Sequence, residues 1–178
     1  MGLVHMSTPE RRDNNSKNNT KTLRIINTNF QSIKTKLAEF TNLINSVQLD
    51  VIFGTETWMD NSIKDSQIIT PGYNVYHKDR HINGGGVFVA VKNNLSTVAT
   101  PELETNCEIV GFKLALLGHK SPYFESYFIS ETSNHEGYTF LRDILEMACS
   151  VNNACILVAG DFNLPGIDWE GKCTKAVC

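Results

Sequence analysis

Short apolar runs, separated by polar segments, follow one another along most of the chain. A continuous apolar run bounded by glycine or turn residues is typical of a buried strand. Two other segments repeat apolar residues at the helical period and predict helices from Ser32 to about Ser46 and from about His135 to Ser150. Strands with interposed helices indicate a layered α/β sandwich. The predicted strands are 23–26, 49–54, 73–77, 87–91, 95–99, 108–117, 123–129 and 155–160.

Both ends of the chain lack this pattern. Residues 7–22 are polar and low in complexity, and the last nine residues, EGKCTKAVC, favour neither a strand nor a helix. A segment with almost no apolar surface to bury is expected to remain disordered. We therefore predict a disordered polar tail over 1–22, one α/β domain over 23–170 and an unstructured tail over 171–178.

Composition and charge narrow the classes of function. The net charge of −3 provides no global basic field for nucleic acid, although a bound metal ion can supply positive charge locally. The five cysteines include no C-x-x-C pair, which disfavours a zinc site and a disulfide framework. The chain contains no apolar run of membrane-spanning length and no signal-peptide pattern. We expect a soluble, intracellular protein without a membrane partner.

The stretch ACILVAGDFNLPGIDW, residues 154–169, carries the most informative chemistry. Its apolar strand leads into Gly160-Asp161-Phe162-Asn163, and open α/β sheets place ligand sites at the carboxyl ends of strands. Extended residues two apart point the same way, so Asp161 and Asn163 would face one spot. There Asp161 could accept a proton and Asn163 could donate to an oxyanion. Gly, Asp and Asn are also common turn residues, and an ordinary strand-to-turn exit stays open.

Asn29 and Glu56 follow two further predicted strands. The order strand, helix, strand over about residues 23–56 predicts a βαβ unit with parallel strands. The carboxyl ends of parallel strands lie on one side. Asn29 and Glu56 would then share the sheet edge that also carries Asp161 and Asn163.

A glycine-rich connection, HKDRHINGGG, joins the next two strands into a predicted hairpin. Its glycines form neither of the common nucleotide-binding loops. Its cationic side chains, including Lys78 and Arg80, could line a groove for a polyanion. A solvated loop is an equally good reading of these residues.

Taken in order, LRIINTNFQSIKTKL, LDVIFGTETW, PGYNVYHKDR, NGGGVFVAV and ACILVAGDFNLPGIDW resemble the endonuclease/exonuclease/phosphatase superfamily. G-D-F-N is shared across that superfamily. The combination of E-T-W, P-G-Y, G-G-G-V and L-P-G-I-D-W resembles the apurinic-type endonuclease domain of non-LTR (LINE-like) retrotransposons. The resemblance runs from about Leu23 to Trp169. It implies a DNase-like, four-layered α/β sandwich that cleaves phosphodiesters with a divalent metal, usually Mg²⁺, with Mn²⁺ as the alternative.

The resemblance also implies roles for single residues. Glu56 matches the family's metal-binding glutamate, and Asn29 matches its asparagine near the metal. Asp161 matches the aspartate that orients or deprotonates the attacking water, and Asn163 matches the asparagine that contacts the phosphate. Mg²⁺ prefers oxygen ligands and keeps several waters, so these side chains suit it chemically.

Three weaker candidates for contact with the substrate are Tyr127, Arg80 and Lys78. In the family a tyrosine of a Y-R-P-P motif reaches the phosphate. Tyr127 stands one position before the matching place, where this chain has Phe128-Ile129-Ser130-Glu131. A shift of one residue on a strand turns a side chain to the opposite face.

The implied function is that of a DNA endonuclease domain of retrotransposon origin, encoded with a reverse transcriptase, with DNA as partner and the nucleus as an implied address. The family ends in further strands and a Ser-Asp-His motif that this sequence does not contain, and all five histidines precede the GDFN strand. We therefore expect a carboxyl-terminally truncated, impaired domain. The alternatives are a non-catalytic remnant that binds metal or nucleic acid weakly, or a phosphatase of the same superfamily.

An incomplete sheet predicts self-association. A GDFN strand without its flanking strands would leave an unpaired edge and an exposed apolar face, both of which favour association. We expect the chain, made alone, to be poorly soluble or to form concentration-dependent oligomers. Light scattering after size-exclusion chromatography measures this. A monodisperse monomer with one cooperative unfolding transition contradicts the prediction.

Overall fold

The computed structural model describes residues 2–8, 21–60, 62–81, 83–104, 108–116, 121–129 and 155–163, together with 139, 142, 143 and 146. A short 3-10 turn, Ile33–Lys36, leads into the helix α1 (Leu37–Val47). None of the helices in this described part of the chain is long and apolar enough to cross a membrane. The strands are β1 (Gly2–Thr8), β2 (Lys21–Asn29), β3 (Val51–Thr55), β4 (Tyr73–Lys78), β5 (Val87–Lys92), β6 (Thr97–Ala99), β7 (Glu108–Leu114), β8 (Tyr123–Phe128) and β9 (Ile156–Asp161).

The strands form two mixed sheets. The first has the order β1-β2-β3-β5-β4, and the second has the order β6-β7-β8-β9. β2 and β3 pair in parallel around α1, which confirms the predicted βαβ unit. β4 and β5 pair antiparallel, which confirms the predicted hairpin. β8 and β9 form the second parallel pair.

The helix packs on the first sheet through the apolar face that its periodicity predicts. Ile33, Phe40 and Ile44 are buried there, and Gln48 ends α1 in a left-handed conformation, its backbone N–H donating to the carbonyl of Ile44. The helical region begins after Ser32 as predicted, but the Ser32 side chain makes no capping hydrogen bond. Packing of the apolar face, rather than the cap, therefore positions this segment.

A second apolar layer lies between the two sheets. It includes Phe53 and Val89 from the first sheet and the stacked rings of Phe112 and Phe124 from the second, whose centroids are 5.1 Å apart. Leu157 of β9 packs against the same cluster. The described residues thus form three layers: α1 packs on the outer face of the first sheet, and the second sheet packs on its inner face. The chain is the α/β sandwich that the sequence predicts.

The predicted polar tail contains a strand. β1 pairs antiparallel with β2 from Gly2 opposite Asn27 to Thr8 opposite Lys21. The edge of β2 presents backbone N–H and C=O groups that need partners, and a short apolar start to the chain can supply them. The prediction of disorder over 1–22 is corrected for this strand. Residues 9–20 and 164–178 lie outside the described residues, and of the predicted helix over 135–150 only 139, 142, 143 and 146 are described, all helical.

Glu125 is a fully buried carboxyl group on β8. The hydroxyl of Thr100 donates to its Oε1 at 2.8 Å, and its Oε2 packs over Gly111, where a Cβ atom would approach within 2.2 Å. Burial raises the pKa of Glu125 to about 8, and the nearby charges of Glu104 and Glu102 add to the rise. The folded chain therefore holds a proton on this group at neutral pH.

Glu125→Gln is expected to flatten the dependence of stability on pH. The pKa of Glu125 in the folded state lies above the ordinary value of 4.5. The contribution of this group to the stability of the wild type is therefore fully present below pH 4.5 and is lost as pH rises through about 8. An amide stays neutral and keeps an oxygen for Thr100, so the variant should exceed the wild type at pH 9 by a few kcal/mol. Denaturant unfolding from pH 5 to 9 measures this, with the exposed Glu39→Gln on α1 as control. Parallel profiles for Glu125→Gln and wild type would contradict the prediction.

Candidate active site

Asn29 and Asp161 meet across the two sheets. The Nδ2 of Asn29 donates to Oδ2 of Asp161 at 2.8 Å, and the Nδ2 of the neighbouring Asn27 donates to the carbonyl of Gly160 at 3.1 Å. The ends of β2 and β9 therefore lie close together, as predicted, but not for the predicted reason. The ends of β2 and β9 belong to separate sheets and come together because the sheets pack face to face.

Asp161 and Asn163 are held by local hydrogen bonds. The backbone N–H of Asn163 donates to Oδ1 of Asp161 at 3.3 Å, and the side-chain amide of Asn163 donates to the carbonyl of Ile129 at 2.7 Å. The φ angle of Asn163 is 40°, in the left-handed region. The expectation that both side chains point the same way assumed an extended chain, whereas β9 ends at Asp161. The two residues are tied to one another, but the Asn163 amide turns toward Ile129.

Gly160 allows β9 to approach β8 closely. A Cβ atom at this position would lie 1.7 Å from the carbonyl oxygen of Tyr127, so a side chain cannot be accommodated without moving the strand. Tyr127 itself is fully buried, and its ring packs against Phe162 at a centroid distance of 5.7 Å. The structure thus places Tyr127 in the outer core of the second sheet rather than at the site. This agrees with the change of face expected from a shift of one residue.

Glu56 follows β3 directly and adopts a left-handed conformation, with φ of 52°. Its Oε2 accepts hydrogen bonds from the indole N–H of Trp58 at 2.5 Å and from the backbone N–H of Gly85 at 3.2 Å. Its carbonyl accepts from the backbone N–H of Ser32 at 2.9 Å, which fastens the segment after β2 to the segment after β3. Glu56 therefore lies on the same end of the first sheet as Asn29.

Arg80 lies on the glycine-rich connection beside the same segment. Its guanidinium donates to Oε1 of Glu108 at 2.9 Å, and the N–H of Gly86 donates to Oε2 of Glu108 at 2.5 Å. The pKa of Arg80 is raised above its ordinary value, mainly by the hydrogen bond of its guanidinium to Glu108, and the charge of Glu56 contributes a weaker attraction. Lys78 is the last residue of β4, opposite Val87. Both predicted cationic residues thus belong to the hairpin that contacts Glu56.

The oxygen atoms at this end of the sandwich suit a hard divalent cation. Glu56 and Asp161 offer carboxylates, and Asn29 offers an amide oxygen that also accepts from the N–H of Gln31 at 3.2 Å. Among the described residues, no group of three or more His, Cys, Asp and Glu side chains converges as a metal cluster. Mg²⁺ is usually bound through one or two carboxylates while it keeps several waters, so this smaller set fits Mg²⁺ better than Zn²⁺.

Composition and spacing did not predict several residues of the site. Trp58, Gly85, Gly86 and Glu108 bind or support the predicted residues through contacts that join separate elements. Two signals were available in the sequence, since Trp58 belongs to E-T-W and the glycines belong to G-G-G-V. Those motifs indicated the family without indicating the hydrogen bonds.

The sequence pattern of the Endonuclease/Exonuclease/phosphatase family matches residues 24–172. The chain belongs to this family. A comparison with curated proteins finds no match. Members of the family are nucleases and phosphatases, and the two-sheet sandwich described above is the family's fold.

Solved structures share the fold at low sequence identity. The endonuclease domain of TRAS1, a telomere-specific non-LTR retrotransposon, is 19% identical with a TM-score of 0.61, over 79% of this chain and 59% of that one. D. rerio TDP2 complexed with a single-strand DNA product is 16% identical with a TM-score of 0.54, over 80% and 61%. ANGEL2, a 2',3'-cyclic phosphatase, is 15% identical with a TM-score of 0.60, over 80% and 53%. The chain thus spans less than two thirds of each of these structures.

Asn29→Asp is expected to weaken the joint between the sheets. The change keeps the shape but replaces the N–H donor with a carboxylate oxygen facing Asp161. Loss of a hydrogen bond to a charged group costs about 1.5–3 kcal/mol, and repulsion between the carboxylates adds to it. The deficit relative to wild type should be largest at neutral pH and shrink as the pH falls, because one proton shared between the two carboxylates removes their repulsion.

Thermal unfolding between pH 3 and 8 measures the effect of Asn29→Asp. The exposed Asn42→Asp on α1 makes the same chemical change away from the site and serves as control. Equal, pH-independent deficits for the two variants would show that the Asn29–Asp161 contact does not stabilise the fold.

Proposed function

We propose that this chain carries the metal-binding and water-orienting residues of a divalent-metal-dependent phosphodiesterase of the retrotransposon endonuclease type, acting on DNA. The observation that carries the proposal is the contact of Asn29 with Asp161 on the end of the sandwich that also presents Glu56. An amide and two carboxylates in this arrangement serve both metal binding and proton transfer. An intracellular site of action, in the nucleus, is part of the same proposal.

The metal-binding role falls to Glu56 and Asn29. Both described hydrogen bonds to the Glu56 side chain end on Oε2, which leaves Oε1 as the oxygen for the cation. The side-chain N–H of Asn29 donates to Asp161, and this hydrogen bond fixes the orientation of the Asn29 amide. A bound Mg²⁺ or Mn²⁺ would polarise the phosphoryl oxygen and stabilise charge on the leaving oxygen.

Asp161 is the proton acceptor in this proposal. Its two oxygens each accept a hydrogen bond, from Asn29 and from the backbone of Asn163, so the carboxylate has a fixed orientation. Two accepted hydrogen bonds leave lone pairs for a water, because an ionised carboxylate can accept about four. A carboxylate in hydrogen-bond reach of a water takes its proton as the oxygen attacks phosphorus.

The phosphate-contacting role falls to Asn163, Arg80 and Lys78. The Asn163 amide has two N–H donors, and Ile129 occupies one of them. The second can donate to a non-bridging oxygen of the phosphate. Arg80 keeps half of its side chain exposed while it pairs with Glu108, so its guanidinium can also contact a DNA phosphate.

DNA as the substrate is supported by the kinds of protein that share the fold. TRAS1 contributes an endonuclease domain, and the TDP2 structure holds a single-strand DNA product. ANGEL2 shares the fold as a 2',3'-cyclic phosphatase, so the fold by itself leaves the substrate open. The E-T-W and L-P-G-I-D-W motifs favour the endonuclease among these functions.

A second candidate is a domain that binds metal and nucleic acid without turnover. The observation that favours it is that residues 1–178 contain no Ser-Asp-His motif of their own. In the family, the histidine of that motif contacts the scissile phosphate. Removing one preorganised donor typically lowers the rate by about 10²–10³.

Nicking of supercoiled plasmid in Mg²⁺ tests the proposed function. We expect the 178-residue chain to nick no faster than its Glu56→Gln variant. Fusing a carboxyl-terminal segment that bears Ser-Asp-His from a related domain should produce nicking. In that fusion Asp161→Asn should lower the rate by about 10²–10⁴, the usual contribution of a general base. The exposed Asp143→Asn is the matched control.

The possible outcomes separate the two candidates. Nicking by the fusion that depends on Asp161 and Glu56 supports the phosphodiesterase. Nicking that survives both changes shows that these residues are not the site. Glu56-dependent nicking by the unfused chain would show that the Ser-Asp-His segment is dispensable, and would reject the second candidate.

A further inference from the structure

The indole of Trp58 makes a direct hydrogen bond to the predicted metal ligand. Its Nε1 lies 2.5 Å from Oε2 of Glu56, and the backbone N–H of Gly85 lies 3.2 Å from the same oxygen. Glu56 and Trp58 are two residues apart, so the contact depends on the shape of the short segment between them. Two donors thus converge on Oε2 of Glu56, the carboxylate that would bind the cation.

That segment has an unusual backbone shape. Glu56 and Trp58 both have positive φ angles, 52° and 54°, which cost non-glycine residues about 1–2 kcal/mol each. The glycine loop holds the segment in this shape, because Thr57 N–H donates to Gly86 O at 3.3 Å and Trp58 N–H donates to Gly85 O at 3.0 Å. A Cβ atom on Gly86 would lie 2.4 Å from the Thr57 hydroxyl. Strain maintained by surrounding contacts is typical of functional sites.

We propose that Trp58 is a positioning residue for Glu56. Its indole N–H holds Oε2 and thereby assigns the other oxygen, Oε1, to the cation. This inference rests on the proposed function, since it concerns the same metal site. Indole is suited to the role because it is a donor only and cannot compete with Glu56 for the metal. The ring is half-buried, so its position is fixed by packing as well as by the hydrogen bond.

Packing alone is the competing explanation for Trp58. An aromatic side chain can fill space beside the glycine loop whether or not its N–H reaches a carboxylate. Phe keeps most of the ring and lacks the donor, so Trp58→Phe separates the two explanations. Hydrogen-bond partners of metal ligands typically contribute about 10–100-fold in metal affinity.

Mn²⁺ titration followed by water-proton relaxation is the first measurement. We expect Trp58→Phe to weaken Mn²⁺ binding by about 10–100-fold relative to wild type. Tyr73→Phe also removes an aromatic donor, the hydroxyl that bonds to the carbonyl of Leu49 at the other end of β4, and should leave the affinity unchanged. Circular dichroism of each variant shows that it is folded. Wild-type affinity in folded Trp58→Phe overturns the positioning role.

The indole N–H resonance of Trp58 is the second measurement, and it leaves Trp58 in place. In a ¹⁵N spectrum the peak is assigned by its loss in Trp58→Phe. Glu56→Gln should shift this peak, and Mg²⁺ should shift it in wild type but not in Glu56→Gln. A Trp58 peak insensitive to Glu56→Gln and to Mg²⁺ overturns the inference even if Trp58→Phe does not fold.

The outcomes distinguish this inference from the proposed function. If wild type binds Mn²⁺, Glu56→Gln does not, and Trp58→Phe binds as wild type does, only the role of Trp58 is rejected. If wild type and Glu56→Gln bind Mn²⁺ equally, Glu56 is not a ligand and both proposals are rejected. Loss of affinity in both Glu56→Gln and Trp58→Phe supports both.

Discussion

The hydrogen bond between Asn29 and Asp161 depends on the packing of two separate sheets. The two residues are 132 positions apart in the sequence, and neither sheet alone contains both of them. The apolar layer between the sheets, which includes the stacked rings of Phe112 and Phe124, sets the spacing that lets a 2.8 Å contact form. The geometry of the site is therefore a property of the core. A change of volume in that layer would be felt at Asp161 without touching it.

A second constraint acts within the first sheet. Glu56 leaves β3 in a left-handed conformation that only a close-fitting partner can maintain, and the glycine loop of the hairpin is that partner. Gly85 binds Glu56 and Gly86 binds Glu108, so the same two peptide units connect the predicted metal ligand to the ion pair of Arg80. The segments before and after the hairpin are thus held together by the backbone N–H groups of two glycines.

The sequence predicted those parts of the fold that local patterns determine. Apolar patterns located α1 and the strands β2 to β9 but missed β1, and the βαβ order predicted that β2 and β3 are parallel. The sequence also predicted that Asn29 and Asp161 lie near one another. The prediction placed them at the edge of one sheet, whereas in the structure they belong to two sheets that pack together. The assignment of strands to sheets depends on long-range packing, which no local pattern records. The bonds of Glu56 to Trp58 and Gly85 were missed for a related reason, since a positive φ at glutamate is imposed by tertiary contacts.

The separation of Asn29 from Asp161 along the chain has a consequence for synthesis on the ribosome. The first sheet uses residues up to Lys92, whereas Asp161 ends the last described strand. Chains are made from the amino terminus, and contacts between distant residues form only after the intervening loop has closed. Glu56 and its glycine loop are thus translated well before the carboxylate that would accept a proton. A nascent polypeptide therefore cannot bring Asn29 and Asp161 together beside Glu56 until translation has passed position 161.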